Sequence, residues 1–438
     1  MGIKVAKFGG SSLADGDQFR KVQSIVESDP ERRYIVPSAP GKRNNSDRKI
    51  TDLLYLCHSH VQQHVPFDEV YEIIATRYLE IVEDLRLSFD IRPQLQKVKR
   101  SIATGASADY TASRGEYLSG LILSRLLGYD FIDPAEIIFF GEEGRLNSEK
   151  TQAATKKRLA KHERAVIPGF YGTDVRGDVK TFSRGGSDIT GAIVARGAHA
   201  DLYENWTDVS GLLMTDPTIV KKPKPIDTVT YRELRELAYM GAKVLHDEAI
   251  FPVREAGIPV CIKNTNRPRD PGTMIVQDAD PITHKGNITG IAGKKGFTVI
   301  AIEKALMNAQ LGYGRRVLSI LEVNGISFEH MPSSIDTLSV VIADSQLENK
   351  LDRVVQEIKT ECKPDSVEIN PNMALIATVG RGMAHTPGIA ARLFSALGKA
   401  KINVRMIDQG SSEINIIVGV ENDDFEKTLR AIYRTFVD

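Results

Sequence analysis

The sequence predicts an α/β protein in which a mainly parallel sheet is sandwiched by helices and followed by two smaller α+β units. Three observations carry this expectation. From Met1 to about Asp280, short apolar runs rich in β-branched residues alternate with helical periodicity, as in a parallel sheet covered on both faces. Beyond that point the chain repeats itself at an offset of 76 positions. The length, 438 residues, exceeds what one ordinary core accommodates, so two to three domains are expected.

Taken in order, Ile3–Ala6 reads as the first strand, and Phe19, Val22 and Val26 mark one face of the helix after it. Tyr34–Val36, Ala165–Ile167 and Pro259–Ile262 read as further strands, with another over Ala200–Asn205 and a helix over Ile189–Arg196. The stretch from Asp68 to Lys99 reads as helical and polar enough to lie on the outside. In the tail, Val317, Leu318, Ser319 and Leu321 fall on Leu393, Phe394, Ser395 and Leu397. Without a gap, Ile326, Phe328 and Met331 meet Ile402, Val404 and Ile407, and Leu338 and Val340 meet Ile414 and Ile416. Each copy predicts a helix, a turn and two strands with alternating apolar positions.

Composition narrows the function classes. With 57 basic and 57 acidic residues the formal net charge is zero, so neither nucleic acid nor an anionic membrane is an expected partner. Cys57, Cys261 and Cys362 lie far apart, in no metal-ligand spacing, and three cannot all pair; reduced thiols in the cytoplasm are expected. No apolar run approaches membrane-spanning length, and the N-terminus enters a strand-like segment without a signal peptide. His58, His60 and His64 lack acidic or cysteine partners nearby, so a solvated face is favoured and no metal site is expected.

Four segments carry chemistry. Lys7-Phe8-Gly9-Gly10-Ser11-Ser12 stands between a strand and a helix. Its glycines let backbone N–H groups approach a polyphosphate, and Lys7 can neutralise charge there. A tight turn with a surface lysine would look the same, and no Walker, Rossmann or protein-kinase motif accompanies it. Ser183–Asp188 opens a helix with Gly185, Gly186 and Ser187, where an anion suits the dipole and Arg184 could grip a carboxylate. The plainer alternative is that Ser187 or Asp188 merely caps the helix. Thr207-Asp208-Val209-Ser210-Gly211 follows a strand, at the edge where open α/β sheets bind ligands. Gly241–His246 places Lys243 within a helix pattern, which alone carries no weight.

Together and in this order, these segments resemble the aspartate kinases of the amino-acid kinase family. Besides Lys7–Ser12 and Ser183–Asp188, the family's Arg-Gly-Glu stands at Arg114–Glu116, its Thr-Asp-Val-x-Gly at Thr207–Gly211 and its Gly-Ala-Lys-Val-Leu-His at Gly241–His246. The tail resembles the family's paired, ferredoxin-like ACT domains. The resemblance implies a monofunctional enzyme with a catalytic domain over 1–283 and ACT domains over 284–366 and 367–438. The implied reaction is ATP-dependent phosphorylation of the L-aspartate side chain to 4-phospho-L-aspartate, the first step toward lysine, threonine and methionine, with Mg²⁺ as cofactor. Another amino-acid kinase (acting on glutamate or similar) and a non-catalytic amino-acid sensor are the alternatives.

By the same resemblance, Lys7, Gly9, Gly10 and Ser11 hold the phosphates, while Thr207, Asp208 and Lys243 contact the nucleotide. Glu116 pairs with the substrate ammonium, Arg184 with its α-carboxylate, and Thr51 and Ser187 complete the substrate site. Lys7 and Asp188 are the catalytic pair, with Asp188 orienting rather than acting as a base, because aspartate's side chain is already ionised at neutral pH. Met307, Gly312, Tyr313 and Glu329 fall near the positions that hold an effector amino acid, lysine or threonine, and a homodimer or higher homo-oligomer through the ACT domains is implied. The chain departs from the family at Thr218, where an arginine is usual and for which Lys221 or Lys222 could substitute. It departs again in the basic loop 40–47, which is open to reading as a lid or as a plain surface loop.

Overall fold

The computed structural model describes residues 2–183, 185–242, 247–277 and 288–437, with backbone alone for Asp247 and Glu248. The chain forms two compact units. One comprises Met1–Leu212, Asp227–Tyr231 and Leu245–Ala279; the other comprises Leu213–Ile226, Arg232–Val244 and Asp280–Asp438.

Strands of the first unit are β1 (Lys4–Phe8), β2 (Arg32–Pro37), β3 (Asp130–Phe131), β4 (Ala165–Val166), β5 (Tyr171–Thr173), β6 (Val179–Thr181), β7 (Leu202–Thr207), β8 (Thr228–Thr230), β9 (Val260–Asn264) and β10 (Thr273–Val276). Eight of them make one sheet in the order β3-β4-β2-β1-β7-β9-β10-β8, parallel throughout except between β9 and β10; β5 and β6 form a separate hairpin. This agrees with the predicted class. The central strand β1 pairs with β2 on one side and β7 on the other, and Val5, Ala6 and Phe8 are fully buried. Burial on both faces explains why Val5 and Ala6, and Tyr34 to Val36, are consecutive apolar residues rather than alternating ones.

Local signals place the helices that flank the sheet. Asp15 caps the helix Gly16–Glu27 by accepting from Gln18 N–H, and Ser107 caps Ala108–Leu127 by accepting from Tyr110 N–H. Gly128, at φ 65°, ends the latter in a left-handed turn open to glycine. Three expectations need correction. The stretch 68–99 is two helices, Asp68–Asp84 and Arg92–Ala103, and the first buries Tyr71, Ile74, Arg77, Tyr78 and Ile81. Its polar sequence concealed a buried arginine. The strand expected over Ala200–Asn205 runs from Leu202 to Thr207, and the helix expected over Ile189–Arg196 runs from Gly186 to Gly197.

The second unit holds a five-stranded antiparallel sheet of β11 (Gly290–Glu303), β12 (Thr337–Ala343), β13 (Ser366–Val379), β14 (Met406–Asp408) and β15 (Asn415–Glu421), in the order β12-β11-β13-β15-β14. The repeat is visible in it: helices Tyr313–Val323 and Ile389–Lys399 are related by the offset read from the sequence, and so are β11 and β13. The ungapped alignment fails beyond β14. Ile300 pairs with Val340, and Ile376, which that offset matches to Ile300, pairs with Val418 rather than with Ile416. Leu338 and Val340 therefore correspond to Ile416 and Val418, and the two extra residues sit in the turn between β14 and β15. A shift of two preserves side-chain parity, so the apolar pattern could not reveal it.

Two cores divide this unit. Ile300 and Ile302 pack with Val317, Ile320 and Val340, whereas Ile288 and Ile291 pack with Leu393, Ile416, Val418 and Phe425. Strand β11 thus serves both cores, and it changes register around Gly296, a residue at φ 88°.

Candidate active site

The site begins with three neighbouring parallel strands, β2-β1-β7. Lys7, near the end of β1, pairs in register with Val36 on β2 and Asn205 on β7. Its Nζ lies 2.6 Å from Asp188 Oδ1, and Asn205 Nδ2 donates to the same oxygen at 2.7 Å. Asp188 stands in the first turn of the helix Gly186–Gly197, which Gly185 enters at φ 57°. An ammonium, a helix N-terminus and a carboxylate fixed by two donors thereby meet at the carboxyl ends of β1 and β7, where parallel sheets bind ligands. Asn205 was not singled out from the sequence. Its signal was a polar pair, Glu204-Asn205, inside an otherwise buried strand.

The turn after β1 is interlocked with the loop after β2. Gly9 N–H donates to Trp206 O at 2.9 Å, and Gly41 N–H donates to Gly10 O at 2.8 Å. A Cβ on Gly10 would stand 2.9 Å from Ala39 O, and one on Gly41 would stand 2.6 Å from Gly10 C. Glycine is required at both because the two backbones touch. Ser11 is half-buried beside them, and Ser12 Oγ shares a 2.7 Å hydrogen bond with Thr265 Oγ1.

Glu116 is held against this same loop. It lies within the helix Ala108–Leu127 at 5% exposure, and Ala39 N–H donates to its carboxylate. Its Oε2 has no hydrogen-bond partner among the described residues. Burial pushes the carboxyl up to about 8, against the opposing influence of Ala39 N–H, its own N–H and the Arg114 guanidinium. A buried carboxylate with one oxygen unpaired is incomplete without a cation or a proton. Arg114 itself points into an aromatic cluster of Tyr110, Tyr117 and Tyr171.

The other expected residues fall around these groups. Thr51 stands half-buried in the first turn of the helix Ile50–Gln62, directly beyond the loop that carries Ala39 and Gly41. Ser187 is buried, so close to Gly169 that a Cβ there would meet its Oγ at 2.5 Å. Thr207 ends β7 and is followed by exposed Asp208, whose carbonyl accepts from Asn264 Nδ2 at 3.2 Å. Arg184 and Lys243 lie outside the described residues. The helix pattern read around Lys243 therefore cannot be followed; within the described residues the preceding helix ends at Tyr239, and Gly241 stands at φ 94°. Among the described residues no cluster of His, Cys, Asp or Glu is suited to hold a metal ion. A cavity of about 940 Å³ lined by Ser107, Asp109, Tyr110, Glu142, Arg176 and Lys180 contains none of the expected residues. Its lining comes instead from the segments 101–110, 141–144 and 174–180.

In the second unit, Met307 and Tyr313 are buried in the first core, and Gly312, at φ 75°, caps the helix Tyr313–Val323. Half-buried Glu329 accepts from the Tyr239 hydroxyl. Nearby in sequence to that tyrosine, Glu233 receives Arg381 N–H at 2.8 Å and Thr289 Oγ1 at 2.6 Å, and Glu236 receives Asn415 Nδ2 at 2.7 Å. Residues 232–239 thus touch both copies of the repeat.

Comparison with known proteins agrees with this construction. Residues 2–264 match the amino acid kinase family and 376–436 an ACT domain. Aspartokinase 3 of Bacillus subtilis is 39% identical over 99% of this chain and 98% of its own length. The crystal structure of Clostridium acetobutylicum aspartate kinase superposes with a TM-score of 0.90 at 58% identity, covering 99% of both chains. Escherichia coli aspartokinase III, in complex with aspartate and ADP, superposes at 0.73 with 25% identity over 99% of both. The chain belongs to the amino acid kinase family and, within it, to the aspartokinases.

Proposed function

We infer that the chain transfers the γ-phosphoryl group of ATP to the side-chain carboxylate of L-aspartate, giving 4-phospho-L-aspartate and ADP. The observation that carries this reading is Glu116: a buried carboxylate with one oxygen unpaired, held by the loop that interlocks with the phosphate turn. It offers an α-ammonium a partner next to the place where a polyphosphate would bind. The full-length likeness to aspartokinases, one of them bound to aspartate and ADP, supports the same substrates.

In this reading Lys7 and the turn Gly9-Gly10-Ser11 hold the β- and γ-phosphates, and Asp188 with Asn205 aims the Lys7 ammonium. Glu116 binds the aspartate ammonium, Arg184 its α-carboxylate, and Thr51 and Ser187 flank them. Thr207, Asp208 and Lys243 take the nucleotide. A side-chain carboxylate oxygen attacks the γ-phosphorus as the bond to the β,γ-bridging oxygen breaks, so no proton need be removed. The work of the site is to place two anions together and offset their repulsion. Mg²⁺ would supply further neutralisation. It characteristically comes bound to substrate phosphates with one or two carboxylates.

We further propose that an amino acid binds the ACT repeat near Glu329 and feeds back on activity. Lysine is favoured, since Escherichia coli aspartokinase III has been crystallised with lysine and aspartate in its T-state. Three free, buried cysteines fit a reducing cytoplasm, and self-association through the ACT sheet is proposed. An ADP-release assay with L-aspartate, L-glutamate or no acceptor tests the central reading. Turnover that requires aspartate is expected; equal turnover with glutamate, or none with aspartate, overturns it.

A further inference from the structure

The loop between β2 and the helix Ile50–Gln62 is fastened from behind by a buried ion pair. Arg77, on the helix Asp68–Asp84, is 2% exposed. Its Nη2 donates to both oxygens of Asp47, at 2.8 and 2.6 Å, and its Nη1 donates to Gly41 O at 3.2 Å and Ala14 O at 3.3 Å. One guanidinium therefore binds both ends of the loop and the turn that follows the phosphate segment. Arg43 also reaches Asp47, at 3.1 Å, but its side chain is 40% exposed and shares itself with Glu80. At Asp47 burial opposes ionisation. The N–H and guanidinium of Arg43, the N–H of Arg48 and the Arg77 charge outweigh it and hold the carboxyl well below the usual carboxylate range.

The fastened loop touches both halves of the site. Ala39 N–H grips the Glu116 carboxylate, Gly41 is locked to Gly10, and Ile50 N–H donates to Pro40 O at 3.3 Å where the loop passes into the helix that carries Thr51. A loop of this kind, tied at Gly41 and again at Asp47, is a fixed strap and not a free surface loop. Its length and basic residues left it open to reading as a lid or as a plain surface loop.

We propose that Arg77 and Asp47 are positioning residues for phosphoryl transfer, setting the ammonium-binding carboxylate of Glu116 and the phosphate turn at Gly10 at a fixed separation. Neither residue touches a substrate. The proposal rests on the reading of Glu116 given above. Its physical basis is that attack of one anion on another depends on alignment to within about an ångström, and a displacement of that size costs roughly 10²-fold in rate. A planar guanidinium that holds Asp47 through Nη2 and two backbone carbonyls through Nη1 resists such displacement in a way that a lysine ammonium, a single point charge, does not.

The test uses the full chain with D47N, R77K, the D47N/R77K pair, R43A and E116Q. For each variant kcat, the aspartate KM, the ATP KM and the thermal midpoint are measured. D47N and R77K are expected to raise the aspartate KM and lower kcat, each about tenfold or more, with the pair no worse than the more damaging single change. R43A should alter neither parameter more than about twofold, as befits an exposed pair. If the aspartate KM of D47N and R77K stays within about twofold of the parent while the thermal midpoint falls, the clasp is structural only and the proposal is overturned. G41A, whose new Cβ would press on Gly10, gives an independent reading of the strap should D47N or R77K not fold. An unchanged aspartate KM in G41A overturns the proposal equally. E116Q separates the two layers. If it raises the aspartate KM and the clasp variants do not, only the positioning role fails; if it does not, the reading of Glu116 fails first.

Discussion

Lys7 Nζ and Asp188 Oδ1 lie 2.6 Å apart although the two residues are distant in the chain, and Asn205 Nδ2 fixes the same oxygen from the adjoining strand. The lysine is nearly buried, so its ammonium has one direction in which to act. Lys7→Ala is expected to lower kcat by about 10²–10³-fold, the size typical for loss of a preorganised charge at a transition state. Asp188→Asn keeps the shape and removes the counter-charge, and should cost less, roughly tenfold to hundredfold. Steady-state ADP release at saturating aspartate and ATP measures both. Undiminished turnover in Lys7→Ala would falsify the mechanism.

Glu116 yields a pH prediction whose sign follows from its carboxyl being pushed up to about 8, against 4.5 for an ordinary glutamate. Between those values the folded chain without substrate holds a proton that the unfolded chain has lost. The contribution of Glu116 to stability is therefore full below about 4.5 and is lost as pH rises through about 8. An ammonium ligand needs the ionised form, so aspartate affinity should strengthen as pH rises from 6 to 8, with protons released on binding. Calorimetry in buffers of different ionisation enthalpy counts those protons. Glu116→Gln should bind aspartate weakly and release fewer of them; equal proton release by parent and variant excludes this account.

Beneath the site, Arg32 Nε reaches Glu204 Oε2 at 2.7 Å and Trp206 Nε1 donates to the same oxygen at 2.9 Å, with both charged residues buried. Removing one partner of such a pair leaves a buried charge alone. Glu204→Gln should destabilise the first unit by about 3–5 kcal/mol. The aspartate KM of the folded fraction should not move. Urea unfolding followed by Trp206 fluorescence reports the change, and a shift below about 1 kcal/mol would mean that water relieves the arginine.

In the second unit, the Tyr239 hydroxyl occupies the Glu329 carboxylate that we assign to an effector ammonium. Glu329→Gln should raise the half-inhibitory lysine concentration by about tenfold, within the usual range of coupling energies. Tyr239→Phe should lower it, because the hydroxyl no longer competes. Inhibition curves at fixed aspartate decide this, and identical curves for parent and Glu329→Gln would remove Glu329 from the pocket.

Much of the architecture was legible because local rules write it. The apolar pattern of β1 acts through neighbours in the chain. So does the helix spacing of the repeat. The two-residue offset between β12 and β15 was not legible, since side-chain parity repeats every two residues and a slip of two leaves the pattern intact. Arg77 escaped notice for a related reason: a charged residue in a polar helix reads as solvated until a carboxylate from elsewhere is brought to it.

By itself the sequence determined the order of the phosphate turn, the Glu116 helix, the Ser183–Asp188 segment and Asp208, and hence the family. Tertiary structure alone decided which of these meet. The strand order β2-β1-β7 sets Lys7 between Val36 and Asn205, and it presents Asp188 to the lysine. It also decided that Ala39, Gly41 and Asp47 form one fastened strap. Periodicity specifies which face a side chain takes, but the partner across a sheet or between two loops depends on packing between residues far apart in the chain, and no local pattern encodes it.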